Sequence, residues 1–422
     1  MSRPARQAIV AVYRATFPQA PDWAEGPLPL IHDGIRADTA SRSTYYPPRT
    51  ARLLYGTPEH LRRWHRALRE RIGGLTVIGL EALRLNDQPD ADGLIIIHLS
   101  PGSLHSVDVV RALAGRNGAN LPGYDPARLV GDQAALRPGP PFTLAFVTAR
   151  GWRLPRLYNH PRYLRWPYLD QWQWALASRS NYQDQPPDPR ITRLPEQERI
   201  WISADWSALV LREGMALTGT RPDRGTSDPF YNHAALYART IYLDAILIGL
   251  LQLHGISELE DTLAATLDGG SPNGMPLLER RLAQFRHQLW WQHLSAHGAP
   301  NQFLEAFHRQ HRLPERFAQI LAEINDYNRL AREDETRNIN GAVLIFTLVT
   351  VPAGIALALL QVLSAKDLWI FTTVFATCLL LTGLLLATGP ARSVLRSMRS
   401  PHKRAIDTST RRRRLNAPRD HA

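Results

Sequence analysis

Hydrophobic and polar positions fall into three regimes along the 422 residues. Residues 338–365 carry no charged side chain and residues 368–389 carry none either, with Lys366 and Asp367 alone between the two runs. Each run exceeds the roughly 20 residues needed to cross a hydrocarbon core about 30 Å thick. The spacing predicts a transmembrane hairpin whose short connector leaves both ends on one side. Ahead of it, residues 227–337 have a helical period, and residues 1–226 alternate between strand-like runs and broken loops.

The first 150 residues predict an α+β domain. Residues 7–17 are β-branched and aromatic, as a strand requires. Prolines break 18–57, which reads as a surface excursion. Pro58 suits a first helical turn, and Leu61, Trp64, Leu68 and Ile72 would share one face of a helix over 58–72. Residues 75–85 and 93–99 are apolar strands joined by a polar turn. Ser103 is positioned to cap a helix through Val107, Val110 and Leu113. A Gly/Pro/Asn-rich loop, 115–141, leads to a strand over 142–148. Strand, helix, strand, strand, helix, strand is the split βαβ order of a ferredoxin-like sandwich. Beyond it, 199–204, 206–211 and 215–219 predict a strand and a hairpin.

From Ser227 or Asp228, one of them an N-cap before Pro229, the pattern is helical. Residues 234–253 hold the apolar run 245–251, but Arg239, Asp244 and His254 interrupt it, so a buried core helix is expected rather than a span. Residues 275–297 and 301–311 predict two more helices. Pro314 opens the longest one, with an apolar stripe of Phe317, Ile320, Ile324, Tyr327 and Ala331. Run on to residue 363, it would be about 75 Å long. The expected organisation is a ferredoxin-like domain over 1–150, a basic-aromatic segment and hairpin over 151–226, and a helical stalk region over 227–337. Two membrane helices over 338–389 and a basic tail over 390–422 complete it.

Charge sets the orientation. The tail from residue 391 holds ten basic and two acidic residues, +8 of the chain's +12. Such segments stay cytoplasmic and attract anionic lipid headgroups. The tail and the whole N-terminal body are therefore expected in the cytoplasm, and membrane lipids are expected partners. The body retains about +4, which argues against nucleic acid as a ligand. The single cysteine, Cys378, lies inside the second apolar run, which excludes a disulfide framework and any cysteine-built metal site. No signal-peptide pattern precedes residue 30.

Candidate chemistry is sparse. No dinucleotide fingerprint, phosphate-cradling loop or nucleophile elbow is present, so no catalytic residues and no resident cofactor are expected. Residues 151–182 interleave Trp152, Tyr158, Tyr163, Trp166, Tyr168, Trp172 and Trp174 with Arg153, Arg156, Arg162, Arg165 and Arg179. Arginine beside aromatic faces can stack a base and pair a phosphate. Arg153, Arg156, Arg162 and Trp166 are the candidate binding residues for a nucleotide or lipid headgroup, against packing as the alternative. His293 and His297 are four apart, as zinc ligands on a helix can be, or are plain surface histidines. Glu323 and Asp326, with Glu333, Asp334 and Glu335, would form rings attracting divalent cations in an oligomer, or a solvated face in a monomer. Asn338, Asn340, Thr347, Thr350 and Gln361 are the polar positions of the first span, suited to lining a pore or to helix packing.

This layout resembles the CorA-type magnesium channels: a cytoplasmic α+β domain, a helical layer, a long helix entering a first span, a tiny loop, a second span and a basic end. The resemblance covers roughly 230–400. It implies a homo-oligomer, a pentamer in that family, with the first span around a pore and Asn338 or Asn340 near its cytoplasmic end. Pro352 is similar to the family's mid-span proline. The Gly-Met-Asn signature of the family has no counterpart, since Gln361-Val362-Leu363 stands in its place. The expected function is an oligomeric ion channel or a ligand-gated membrane effector of the bacterial inner membrane, like defence-associated CorA-like effectors. The alternative is a membrane-anchored sensor or scaffold of a bacterial conflict system, working with a separate partner protein.

Overall fold

Alternating burial makes β1 (Arg6–Phe17) the centre of the structure. Ile9, Ala11, Tyr13, Ala15 and Phe17 are buried on one face and Val10 and Val12 on the other, because successive strand side chains point to opposite sides. The computed structural model describes residues 4–32, 35–115, 121–157, 165–180, 188, 190, 193–269, 274–362, 369, 372–377 and 380. Contacts divide the chain into two compact units, Met1–Ile320 and Leu321–Ala422.

In chain order β1 is followed by β2 (Ala24–Glu25), β3 (Leu30–His32), β4 (Ile35–Ala37), α1 (Thr39–Ser43) and α2 (Pro48–Tyr55). Next come β5 (Arg63–Ile72), β6 (Leu75–Arg84), β7 (Ala91–Ser100), α3 (Ser106–Leu113), α4 (Pro126–Val130), β8 (Ala135–Leu136) and β9 (Phe142–Ala149). Then α5 (Tyr168–Ser178) leads to β10 (Arg199–Ser203), β11 (Trp206–Val210) and β12 (Gly214–Pro222). The last helices are α6 (Pro229–Ala238), α7 (Ile241–Gly269), α8 (Gly274–Gln288), α9 (Gly298–His311) and α10 (Leu313–Val362).

One mixed sheet runs β10-β11-β12-β9-β1-β7-β6-β5-β2, with β8 also beside β1. Every pairing in it is antiparallel except β12 with β9. The hairpin β11–β12 thus extends the same sheet as β1. Helices cover both faces. Val107, Val110, Leu129 and Trp172 from α3, α4 and α5 join the core of Ile9, Tyr13 and Phe17. On the other face Phe142 meets Phe307 of α9 at 5.8 Å and Trp206 meets Tyr242 of α7 at 5.4 Å. Each such fully buried apolar side chain is worth about 1.5–3 kcal/mol.

Four expectations are corrected. Residues 58–72 hold strand β5 rather than a helix. It pairs with β6 from Arg63↔Leu83 to Ile72↔Leu75. The connecting Gly73 and Gly74 both take positive φ, 55° and 88°, as a two-residue hairpin turn requires. Residues 18–57 are not a mere excursion, since α1 and α2 bring Arg42, Leu53, Leu54 and Tyr55 into the interior. The loop over 115–141 contains α4, with Leu129 and Val130 buried. The helix expected over 275–297 ends at Gln288, where Gln252 Nε2 donates to the Leu289 and Trp291 carbonyls at 2.7 and 3.0 Å.

The helical region follows the pattern more closely. Asp228 caps α6 by accepting from the Tyr231 amide, with Pro229 at the first turn. Residues Pro229–Asp268 form a 40-residue helical stretch long and apolar enough to cross a membrane, yet 83% of its most apolar 18-residue window, of mean hydropathy 1.6, is buried within the fold. It is a core element. Gly249 lets α9 approach closely, because a Cβ there would sit 2.7 Å from Phe307 Cδ1. Helix α10 is continuous over 50 residues and carries the first apolar run through Val362.

Candidate functional site

The basic-aromatic segment folds locally around α5. Pro167 precedes its first turn, and Trp172 is fully buried, with Nε1 donating to the Pro155 carbonyl at 2.7 Å. That bond ties the preceding stretch of chain against the helix. Trp166 is also buried and meets Trp174 edge-on at 6.4 Å. The exposed members are different ones. Trp152 is 84% and Trp201 49% exposed, and Arg156 lies 5.4 Å over the Tyr168 ring with its Nη2 donating to the hydroxyl at 3.2 Å.

These elements enclose a groove of about 500 Å³. Arg153, Arg156 and Trp166 line it together, with Trp152, Tyr168 and Trp201. Three of the four candidate binding residues therefore share one surface, and Arg162 lies outside the described residues. Among the described residues no carboxylate lines the groove, which presents two guanidinium groups beside exposed rings, a combination that suits a planar or headgroup-like anion. Arg179 belongs to the interior, where it donates to the Pro141 carbonyl.

A second cluster escaped the sequence reading. Arg42 of α1, Arg63 of β5, Glu81 of β6, His98 of β7 and Asp244 of α7 are all wholly buried. Arg63 Nη2 lies 2.7 Å from Glu81 Oε2 and 3.1 Å from Asp244 Oδ1. His98 Nε2 meets Glu81 Oε1 at 2.6 Å and the Tyr55 hydroxyl donates to Asp244 Oδ2 at 2.7 Å. Burial by itself would raise the Glu81 carboxyl, but Arg63, Arg42 and the His98 bond hold it well below the usual carboxylate range. Burial holds His98 below its ordinary value despite the same bond. Lacking access to solvent, the cluster locks helices to sheet rather than meeting substrate. Its signal was present as charges at Glu81 and Asp244 inside otherwise apolar runs.

The remaining candidates scatter. His293 and His297 sit in the loop after α8 rather than four apart on one helix, and the His297 ring packs on Tyr45 at 4.8 Å. Among the described residues no cluster of three or more His, Cys, Asp or Glu could hold a metal ion. Glu323 and Asp326 are exposed on α10, with Asp326 3.4 Å from Arg329. Thr347 and Thr350 are exposed, and their hydroxyls return to the Val343 and Phe346 carbonyls at 2.8 and 2.7 Å. Asn338, Asn340 and Gln361 fall on the helical backbone of α10, but their side chains lie outside the described residues, as does the tail. No protein-family model matches this chain, and neither a curated protein nor a solved structure does.

Proposed function

We propose that the chain is a two-span membrane protein of CorA-like layout with its body in the cytoplasm. In this reading it assembles as a homo-oligomer through α10 and passes ions, or is opened to do so by a ligand on the body. One observation carries the membrane reading. The described apolar side chains of α10 beyond residue 338 are exposed: Ile339, Val343, Phe346, Val351, Ile355 and Leu357 at 46–71%. Spaced at about 100° per residue they occupy more than one helix face, an apolar extent that water does not tolerate. The most apolar window of the Pro229–Asp268 stretch is buried by its own fold; α10 needs lipid or further helices. The hydroxyls of Thr347 and Thr350 are satisfied within the helix, as hydrocarbon demands.

Residues 368–389 would return as the second span. The strand order β9-β1-β7-β6, in which β7 separates β1 from β6, supports a ferredoxin-like element whose first helix is replaced by β5. The groove lined by Arg153, Arg156 and exposed rings favours a second reading, in which the hairpin is an anchor and the body a sensor or scaffold of a conflict system. Light scattering on detergent-solubilised protein separates the two. Five chains of 47.6 kDa give about 240 kDa and support the channel. A monomer contradicts it, as does absence of ion flux in proteoliposomes.

A further inference from the structure

A cavity of about 480 Å³ lies between the sheet and helices α7 and α8. One wall is apolar, formed by Leu53, Leu85, Leu251, Leu259, Phe285 and Leu289. The other is cationic, with Arg14, Arg62 and Arg281 facing the space along with the carboxylates Asp92 and Glu258. Both carboxylates are engaged: Asp92 Oδ1 is 2.7 Å from Arg137 Nη2, and Glu258 Oε1 is 3.6 Å from Arg281 Nη1. Arg14 and Arg62 make no ion pair among the described residues. Arg14 Nε is buried and has no acceptor among the described residues, and burial lowers the Arg62 guanidinium.

A buried donor without an acceptor, on an always-charged group, is costly unless something else completes it. The local field agrees. Burial first, then Arg14 and Arg137, push the His254 imidazole on the same wall down to about 3, so it adds no charge of its own at neutral pH. Side-chain amides of Asn86, Gln88, Gln284 and Gln288 supply neutral donors around the rim. The volume lies within the range of small-molecule sites.

We infer that this cavity binds a small organic phosphate, its phosphoryl oxygens on Arg14 and Arg62 and its apolar body against Leu251, Leu259 and Phe285. Arginine is the side chain suited to bidentate phosphate contacts. The inference depends on the folded body alone and stands apart from the membrane reading and from the Arg153–Arg156 groove.

Calorimetric titration of the purified full-length protein with phenyl phosphate tests it. Binding is expected for the intact protein, weakened about tenfold or more by Arg62→Gln and again by Arg14→Gln. Arg128→Gln, at an exposed arginine paired with Glu70 outside the cavity, is expected to leave it unchanged. Both arginines are half-buried, and Arg62→Gln remains informative even where Arg14→Gln, at the residue whose Nε is enclosed, fails to fold. Competition by phosphatidic acid vesicles would assign a lipid headgroup as the source of the phosphate, and its absence a soluble ester. No binding to the intact protein, binding indifferent to Arg62→Gln, or an equal loss with Arg128→Gln would overturn the inference.

Discussion

Arg63 and Asp244, 181 positions apart in the chain, meet at 3.1 Å with neither side chain reaching solvent. The pair joins strand β5 to the central core helix, and Glu81 shares the same guanidinium. Removing one partner of a buried pair leaves an uncompensated charge, at a cost of about 3–5 kcal/mol. Asp244→Ala is therefore expected to lower stability by that amount in urea unfolding monitored by circular dichroism. A loss under about 1 kcal/mol would show that the pair is not buried as described.

Acid should weaken the body well before its carboxylates titrate. Burial holds His308 down at about 4, and burial with neighbouring arginines holds His254 at about 3. Both are neutral when folded but take up a proton on unfolding below about pH 6.5, so stability falls as pH drops from about 6.5 toward 4. Glu81, depressed in the folded state, adds loss in the same direction at still lower pH. The urea midpoint is expected to be lower at pH 5 than at pH 7.5, and His308→Gln to flatten that slope. A flat profile in the intact protein would contradict it.

Within the basic-aromatic segment, surface and core residues should separate cleanly. Trp172, fully buried and hydrogen-bonded, is expected to cost about 3–5 kcal/mol on conversion to Ala. The exposed Arg156–Tyr168 contact is worth about 0.5–1 kcal/mol, so Arg156→Ala should change the thermal midpoint little. The reverse order would contradict this division into surface and core.

Much of this was legible. Strand β1, the hairpin β6–β7, β9, the β11–β12 hairpin, the buried helix under the sheet and the unbroken α10 all follow from hydrophobic period and turn residues. Residues 58–72 failed because Leu61, Trp64, Leu68 and Ile72 satisfy a helical spacing even though the segment is a strand. Its bulge between Ala67 and Glu70, with Arg69 at φ 57°, upsets the plain alternation of a strand. The Gly73-Gly74 pair was the better clue. The helix end at Gln288 depends on Gln252, 36 positions earlier, and such a long-range bond leaves no local mark. Arg153, Arg156 and Trp166 were legible as a group, whereas Arg14 of β1 and Arg62, just ahead of β5 and two strands removed, come to line one cavity only in the folded sheet.

The apolar surface of α10 makes a sharper demand. Phe346→Arg and Val351→Arg place charges where the account puts hydrocarbon, each costing roughly 2.5–3.5 kcal/mol on insertion scales. The double variant is expected to shift protein from the membrane fraction into inclusion bodies or degradation, with Phe346→Leu as the silent control. Equal membrane content in both would remove residues 338–362 from the bilayer.

The most direct measurement is an alkaline carbonate wash of membranes from cells expressing the full chain. Carbonate strips proteins held by charge, such as the basic tail on anionic lipid, but not those whose helices cross the bilayer. The protein is expected to stay in the pellet and to be released only by detergent. Recovery in the carbonate supernatant would contradict a membrane-spanning α10.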